Sequence, residues 1–208
     1  MITTAALERR AFEGDAEAQF RLGYRLAVAR RRPSHSPKRA VKWWLLAARQ
    51  GHARSQFYLG VAFDRGLGVT QDLAKSMNFY RKAAQAGHPE AQYNLALALS
   101  KGEGVLKNEK LATGWLRKSA IQGDADAQRD LGVRMFYGIG VRKDLGEAIR
   151  WYRKAARRGD AKAQYNLGLS YERGEGVPIS RSKATKWFLA AAHNGNALAR
   201  KWIRREGQ

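Results

Sequence analysis

The sequence predicts an all-α repeat solenoid, and three observations predict it. Pivot glycines at Gly51, Gly87, Gly123, Gly159 and Gly195 recur every 36 residues, with Gly14 placed 37 residues before the first. A fixed period of that size is the mark of stacked structural repeats. Each period holds two segments with helical apolar spacing. Between those segments stands a second glycine signal, G-x-G-V, which reads as a helix stop and chain reversal. The clearest copy covers residues 148–177, AIRWYRKAARRGDAKAQYNLGLSYERGEGV, and its wording returns over 83–105 and 119–141.

Taken in order, residues 1–13 form an N-terminal half repeat, a capping helix with Thr3 or Thr4 as its N-cap and Gly14 as its stop. Five full repeats follow, 14–50, 51–86, 87–122, 123–158 and 159–194, and a closing helix occupies 195–208, so that 1–208 is expected to be a single solenoid. The first helix of each repeat, helix A, starts just after the pivot. Asp15, Asp124, Asp160 and Asn196 stand there as caps for free N–H groups, His52 and His88 replace them in two repeats, and Pro89 occupies a first helical position. A stripe of Ala, Leu and a small residue then recurs four, eight and nine residues past the pivot, as in Ala18/Leu22/Gly23 and Ala163/Leu167/Gly168. Small residues in it admit a close neighbouring helix.

Helix A is expected to stop at Gly66/Gly68/Val69, Gly102/Gly104/Val105, Gly138/Gly140/Val141 and Gly174/Gly176/Val177. Helix B opens with Asp72, Asn108, Asp144 or Ser180 and carries an aromatic-rich pair: Trp43-Trp44, Phe79-Tyr80, Trp115-Leu116, Trp151-Tyr152 and Trp187-Phe188. Trp43, Trp115, Trp151 and Trp187 share one helical position and are expected in the core, with Trp202 covering the last interface. The first repeat departs from the pattern, because a basic, proline-bound stretch over 30–39 replaces G-x-G-V and lengthens the turn by one residue.

Composition narrows the function. There are 39 Lys and Arg against 18 Asp and Glu, a formal net charge of +21, which favours acidic partners and polyanions and says nothing of fold. The chain has no cysteine, so disulfides, thiolate metal sites and a cysteine nucleophile are excluded. No stretch approaches the roughly 20 apolar residues of a membrane span. The N-terminal segment carries charge where a secretory signal needs an apolar run, so a cytoplasmic protein without membrane contact is expected. His35, His52, His88 and His193 share no ligand spacing, and no metal site or cofactor is expected. G-x-G-V follows a helix and not a strand, which sets aside a dinucleotide loop. No acid–base constellation recurs, and the chain is not expected to be an enzyme.

The pattern A-x-x-G-D-x-x-A-Q-x-x-L-G, then G-x-G-V, then D-x-x-x-A-x-x-W-Y-x-K-A-A, resembles the Sel-one-like repeat family, kin of the tetratricopeptide repeats, over nearly the whole chain. The resemblance implies antiparallel helix pairs wound into a right-handed superhelix with a concave face. It implies an adaptor role in protein–protein interaction, and it brings no catalytic residues.

The helix-A face opposite the Ala/Leu stripe is the candidate site. Six, seven and ten residues past the pivots it carries Phe20, Arg21 and Tyr24; Phe57, Tyr58 and Val61; Tyr93, Asn94 and Leu97; Arg129, Asp130 and Val133; Tyr165, Asn166 and Leu169. Arg21, Tyr24, Phe57, Tyr58, Tyr93, Asn94, Arg129, Tyr165 and Asn166 are the partner-binding candidates, with amides bonding a ligand backbone and rings supplying apolar area. The residues six and ten past the pivot admit a second reading, packing against the next repeat. Three basic clusters complete the picture: Arg30, Arg31 and Arg32 with Lys38, Arg39 and Lys42; Arg150, Arg153, Lys154, Arg157 and Arg158; and Arg200, Lys201, Arg204 and Arg205. They are solvated faces or anion sites, and Arg30, Arg31, Arg32, Arg153, Arg157 and Arg158 are the anion-binding candidates. The expectation is a noncatalytic bacterial-type adaptor or regulatory binder holding an acidic protein in its groove, in one form an immunity-like mask for a toxic partner. Binding of nucleic acid or another polyanion on the basic surface is the alternative.

Overall fold

The computed structural model describes residues 4–28 and 35–206. Among them are twelve α-helices and no strand: α1 (Thr4–Phe12), α2 (Ala16–Val28), α3 (Pro37–Arg49), α4 (Ala53–Arg65), α5 (Leu73–Gln85), α6 (Pro89–Lys101), α7 (Glu109–Ile121), α8 (Ala125–Tyr137), α9 (Leu145–Arg157), α10 (Ala161–Arg173), α11 (Arg181–His193) and α12 (Ala197–Glu206). Even-numbered helices are the A helices and odd-numbered helices α3 to α11 the B helices, as in an all-α repeat solenoid. Two compact units divide the chain, Met1–Lys107 with α1 to α6 and Asn108–Gln208 with α7 to α12. Within each unit every helix packs on the next in the chain. Thr3, Arg30, Arg31 and Arg32 lie outside the described residues.

Helices α2 to α11 are 13 residues long. That length is marginal in isolation, so stacking must supply the stability. Local signals fix where they start. Asp72, Asn108, Asp144 and Ser180 each accept the backbone N–H three residues on, at 2.8–3.4 Å, and Asp15, Asp124, Asp160 and Asn196 do the same on A helices at 2.6–3.0 Å. The cap's own N–H returns to a carbonyl of the preceding helix: Asp72 to Phe63, Asp144 to Met135, Ser180 to Tyr171. Each of these bonds spans nine residues. Ser36 makes the equivalent bond to Leu26 across ten, which absorbs the extra residue of the first repeat.

The two glycines of G-x-G-V have different tasks. Gly138 ends α8 in the left-handed region (φ 76°), a conformation costly for other residues. Gly176, two residues past the end glycine of α10, lies against the start of α9, where an added Cβ would stand 2.7 Å from the Leu145 carbonyl oxygen. The turn thus docks backbone to backbone on the B helix of the repeat before.

Packing inside a repeat turns on a glycine facing a ring. A Cβ at Gly23, Gly60, Gly132 or Gly168 would come within 2.5–2.6 Å of Trp44, Tyr80, Tyr152 or Phe188 respectively. These rings are the deeply buried ones. The expectation for the tryptophans is corrected accordingly: Trp43, Trp115 and Trp187 are half-buried, and only Trp151 is buried. Adjacent helical positions point 100° apart, and the second of the pair is the one aimed at the glycine. Trp115 and Trp151 instead lie under lysines, with Lys118 Nζ 4.2 Å and Lys154 Nζ 4.0 Å from the ring centroids.

One polar device repeats through the core. Gln19, Gln56, Gln92, Gln128 and Gln164 are buried, and each Nε2 donates to the carbonyl eight residues back, Ala11, Ala48, Ala84, Ala120 and Ala156, at 3.0–3.3 Å. These acceptors belong to the C-terminal turn of the preceding helix, where carbonyls lack helical partners. In α12 Arg200 stands in the glutamine's place and donates to Ala192 at 3.2 Å.

Candidate functional site

Three of the residues six past the pivot, Phe20, Phe57 and Arg129, pack forward on the first cap of the next repeat, while Tyr165 packs on Phe188. Phe20 faces His52 with ring centroids 5.1 Å apart, and Phe57 stacks on His88 at 4.5 Å and 17°. In the second unit ions replace rings: Arg129 reaches Asp160 at 2.8 Å. It also binds Asp126 and Asp130, so three carboxylates surround one guanidinium that is 12% exposed. Burial opposes its charge, yet the bonds to Asp130 and Asp126 and the field of Asp160 outweigh it and hold its pKa above the usual value.

The residues seven past the pivot are partnered too. Arg21 is exposed and ion-paired with Glu17. Tyr58 shares a hydroxyl hydrogen bond with Tyr24, and burial pushes the Tyr58 pKa up. Asn94 bonds the buried Tyr80 hydroxyl, whose pKa burial pushes up to about 12, and Asn166 bonds Tyr152, raised by burial in the same way. Tyr93 is half-buried on α6. The helix-A candidates therefore line a face already cross-linked by hydrogen bonds.

In the second unit that face is hollow. A cavity of about 780 Å³ is bounded by Arg129, Asp130, Val133, Tyr165 and Asn166, with Leu198 at the far wall. A second, of about 460 Å³, is bounded by Val133, Tyr137, Leu169 and Arg173 and shares Val133 and Asn166 with the first. Tyr137 is 68% exposed and Leu198 58% exposed, so apolar surface waits at both.

Arg153, Arg157 and Arg158 do not form one cradle. Arg153 donates to the Tyr171 hydroxyl at 2.9 Å, Arg158 reaches back to the Gly123 carbonyl at 2.6 Å, and Arg157 is exposed. Two of the three thus tie elements together. The packing of the residues six past the pivot against the next repeat was one of two readings the sequence left open, while the glutamine ladder escaped the sequence reading. Its signal was an amide at the same place in all five repeats, inside an otherwise apolar stripe. Among the described residues no group of His, Asp and Glu is arranged to hold a metal ion, and no helix is long and apolar enough to cross a membrane.

His88 carries a pH dependence. His52 Nδ1 accepts the Ser55 N–H at 3.2 Å, which leaves the proton on Nε2, 3.1 Å from Glu17. His88 lies beneath Phe57, and its burial, with Arg54 and His52 adding to it and Glu90 opposing, lowers its pKa. The unfolded chain therefore takes up this proton first, near about pH 6.5. Stability from a neutral His88 is complete above that pH and is lost as pH falls below it. The unfolding midpoint should drop between about pH 7 and 5 more steeply in the wild type than in His88→Asn, and parallel curves would refute the assignment.

With that geometry in place, comparison with known proteins decides the family. The Sel1 repeat model matches residues 16–52, 53–88, 89–124, 125–160 and 161–196. The chain belongs to the Sel1 repeat family. Sel1 repeat proteins are interaction scaffolds that bind other proteins. The chain is similar to c5321, a protective antigen of uropathogenic Escherichia coli with this fold, at TM-score 0.90 and 34% identity over 96% of this chain and 42% of that one. A Sel1 repeat protein of Oxalobacter formigenes matches at TM-score 0.81 and 32% identity, over 95% of this chain and 76% of its own. The immunity protein PA5088 of Pseudomonas aeruginosa matches at TM-score 0.51 and 27% identity, over 88% and 66%. Among curated proteins, the rat DAP3-binding cell death enhancer 1 is 36% identical over 76 residues, 36% of this chain and 14% of that protein. The chain thus spans less than half of c5321 and a small part of the rat relative.

Proposed function

We propose that this chain is a cytoplasmic, noncatalytic adaptor or regulatory binder that holds a segment of a partner protein against its helix-A face. The observation that carries the proposal is the pair of contiguous cavities in the second unit, with exposed Tyr137 and Leu198 at their walls and Asn166 between them. Apolar area with a few placed amides is what an extended segment of protein needs. An acidic partner suits the net charge of +21, although Arg129 is already neutralised, and that points the acidic contacts to other cations. Masking of a toxic partner is one concrete form, supported by the likeness to the immunity protein PA5088.

The second reading, polyanion binding, is favoured by the exposed Arg157 on α9 and the ring-held Lys118 and Lys154. Salt separates the two. A duplex bound through Z phosphates gives a log–log salt slope of about −0.9Z. Titrating labelled duplex DNA from about 50 to 200 mM salt should show weak binding that fades steeply. Tight DNA binding that survives the higher salt and disappears when Arg153, Arg157 and Arg158 are reversed to glutamate would overturn the protein-partner reading.

A further inference from the structure

We infer that the anchor for an acidic partner segment is Arg54, on the helix-A face of the first unit, with Tyr24 and Tyr58 as the apolar deck beside it. This rests on the proposed function and names the chemistry of the partner at that face.

Arg54 is exposed, and its guanidinium carbon lies 4.4 Å from the centre of the Phe20 ring. Stacking occupies the flat face of a guanidinium and leaves its N–H edge for a planar carboxylate. Among the described residues no carboxylate stands within 4.0 Å of Arg54. Of the acids of this face, Glu17 is committed to Arg21 and His52, and Glu90 stands beside His88, 3.2 Å from its Nδ1. The contrast with Arg129 is direct, since that guanidinium has three carboxylates. Phe20 itself is buried and packed on His52, Tyr24 and Tyr58, at ring separations of 5.1, 6.0 and 5.6 Å, so the platform beneath Arg54 is part of the core. Tyr24 is 40% exposed and meets Tyr58 edge-on at 5.6 Å. A cation with its charge unspent beside an open aromatic surface is complementary to a segment bearing Asp or Glu next to an apolar side chain. The carboxylate would lie along the Arg54 N–H edge, and the apolar group on the tyrosines.

Fluorescence anisotropy with a labelled peptide alternating Glu and Leu, against the same peptide with Gln for Glu, reads this anchor alone. The wild-type protein should bind the Glu peptide about tenfold tighter than the Gln peptide, the size expected of a charge-assisted pair. Arg54→Gln should erase most of that difference. Arg54→Lys should restore only part of it, because an ammonium neither stacks nor forks. Lys186→Gln, an equal loss of charge on exposed α11, should change nothing, and thermal melts should show every variant folded. Equal binding of the two peptides by the wild type, or Arg54→Gln within about twofold of it, would overturn the anchor. That result leaves the helix-A proposal standing, because partner crosslinking at the second unit's cavities tests it separately.

Discussion

Gly168→Val is expected to lower stability by about 3 kcal/mol, a fall of roughly 6–12 °C in the unfolding midpoint of a chain of this length. A Cβ there would stand 2.5, 2.6 and 2.9 Å from three atoms of the buried Phe188 ring. Replacing a mid-helix glycine gains about 1 kcal/mol of helix propensity with alanine and less with valine, too little to offset overpacking. The third repeat suggests the remedy, for its sequence reads Ala96 and Leu116 where its neighbours read glycine and an aromatic. Gly168→Ala combined with Phe188→Leu should therefore be less destabilised than the sum of the two changes, by about 1 kcal/mol in a double-mutant cycle. Additive losses would mean that the glycine and the ring are not the packing unit described. A neutral thermal shift for Gly168→Val would mean the same.

Arg129→Ala carries the second large effect, a loss of about 2–3 kcal/mol in urea unfolding. Asp160 is 13% exposed and serves twice, accepting the Ala163 N–H as a cap and bonding Arg129 through its other oxygen. Without the guanidinium, Asp126, Asp130 and Asp160 would face one another uncompensated. Asp126 is well exposed and Asp130 partly so, which keeps the cost below that of a fully buried pair. The first unit supplies an alternative at the equivalent positions, a phenylalanine stacked on a histidine. Arg129→Phe with Asp160→His should recover part of the loss. A wild-type midpoint for Arg129→Ala would show that the ion cluster is solvated and energetically idle.

Much of the fold was legible because repetition multiplies weak signals. One Asp before a helix says little, but Asp72, Asn108, Asp144 and Ser180 at one phase of the period predict a cap, and each side chain makes that bond. The tryptophan row was only partly right: Trp151 is buried and Trp43 and Trp187 pack on the edge of the core, but the deepest position is one residue on, since two adjacent aromatics both satisfy a helical apolar pattern. The residue facing a helix of another segment is set by tertiary packing, here by Gly23, Gly60, Gly132 and Gly168. The site was less legible. Phe57 and Arg129 look unrelated until both are seen to reach the next repeat's cap, His88 in one case and Asp160 in the other. Arg153 and Arg158 read as free charge, yet one bonds a tyrosine hydroxyl and the other a backbone carbonyl. Sequence shows where charge is, and only contacts show whether it is spent.

Site-specific photocrosslinking tests the proposed partner-binding face most directly. A photoreactive residue is placed at Leu198 or Tyr137, on the cavity walls, and at Leu189 or Arg157, exposed on B helices. Each variant is irradiated in extract of the native host, with and without nuclease. Adducts to one protein species from Leu198 and Tyr137, unchanged by nuclease and absent from Leu189 and Arg157, are the predicted result. Adducts formed from Leu189 and Arg157 alone, or lost on nuclease treatment, would contradict it.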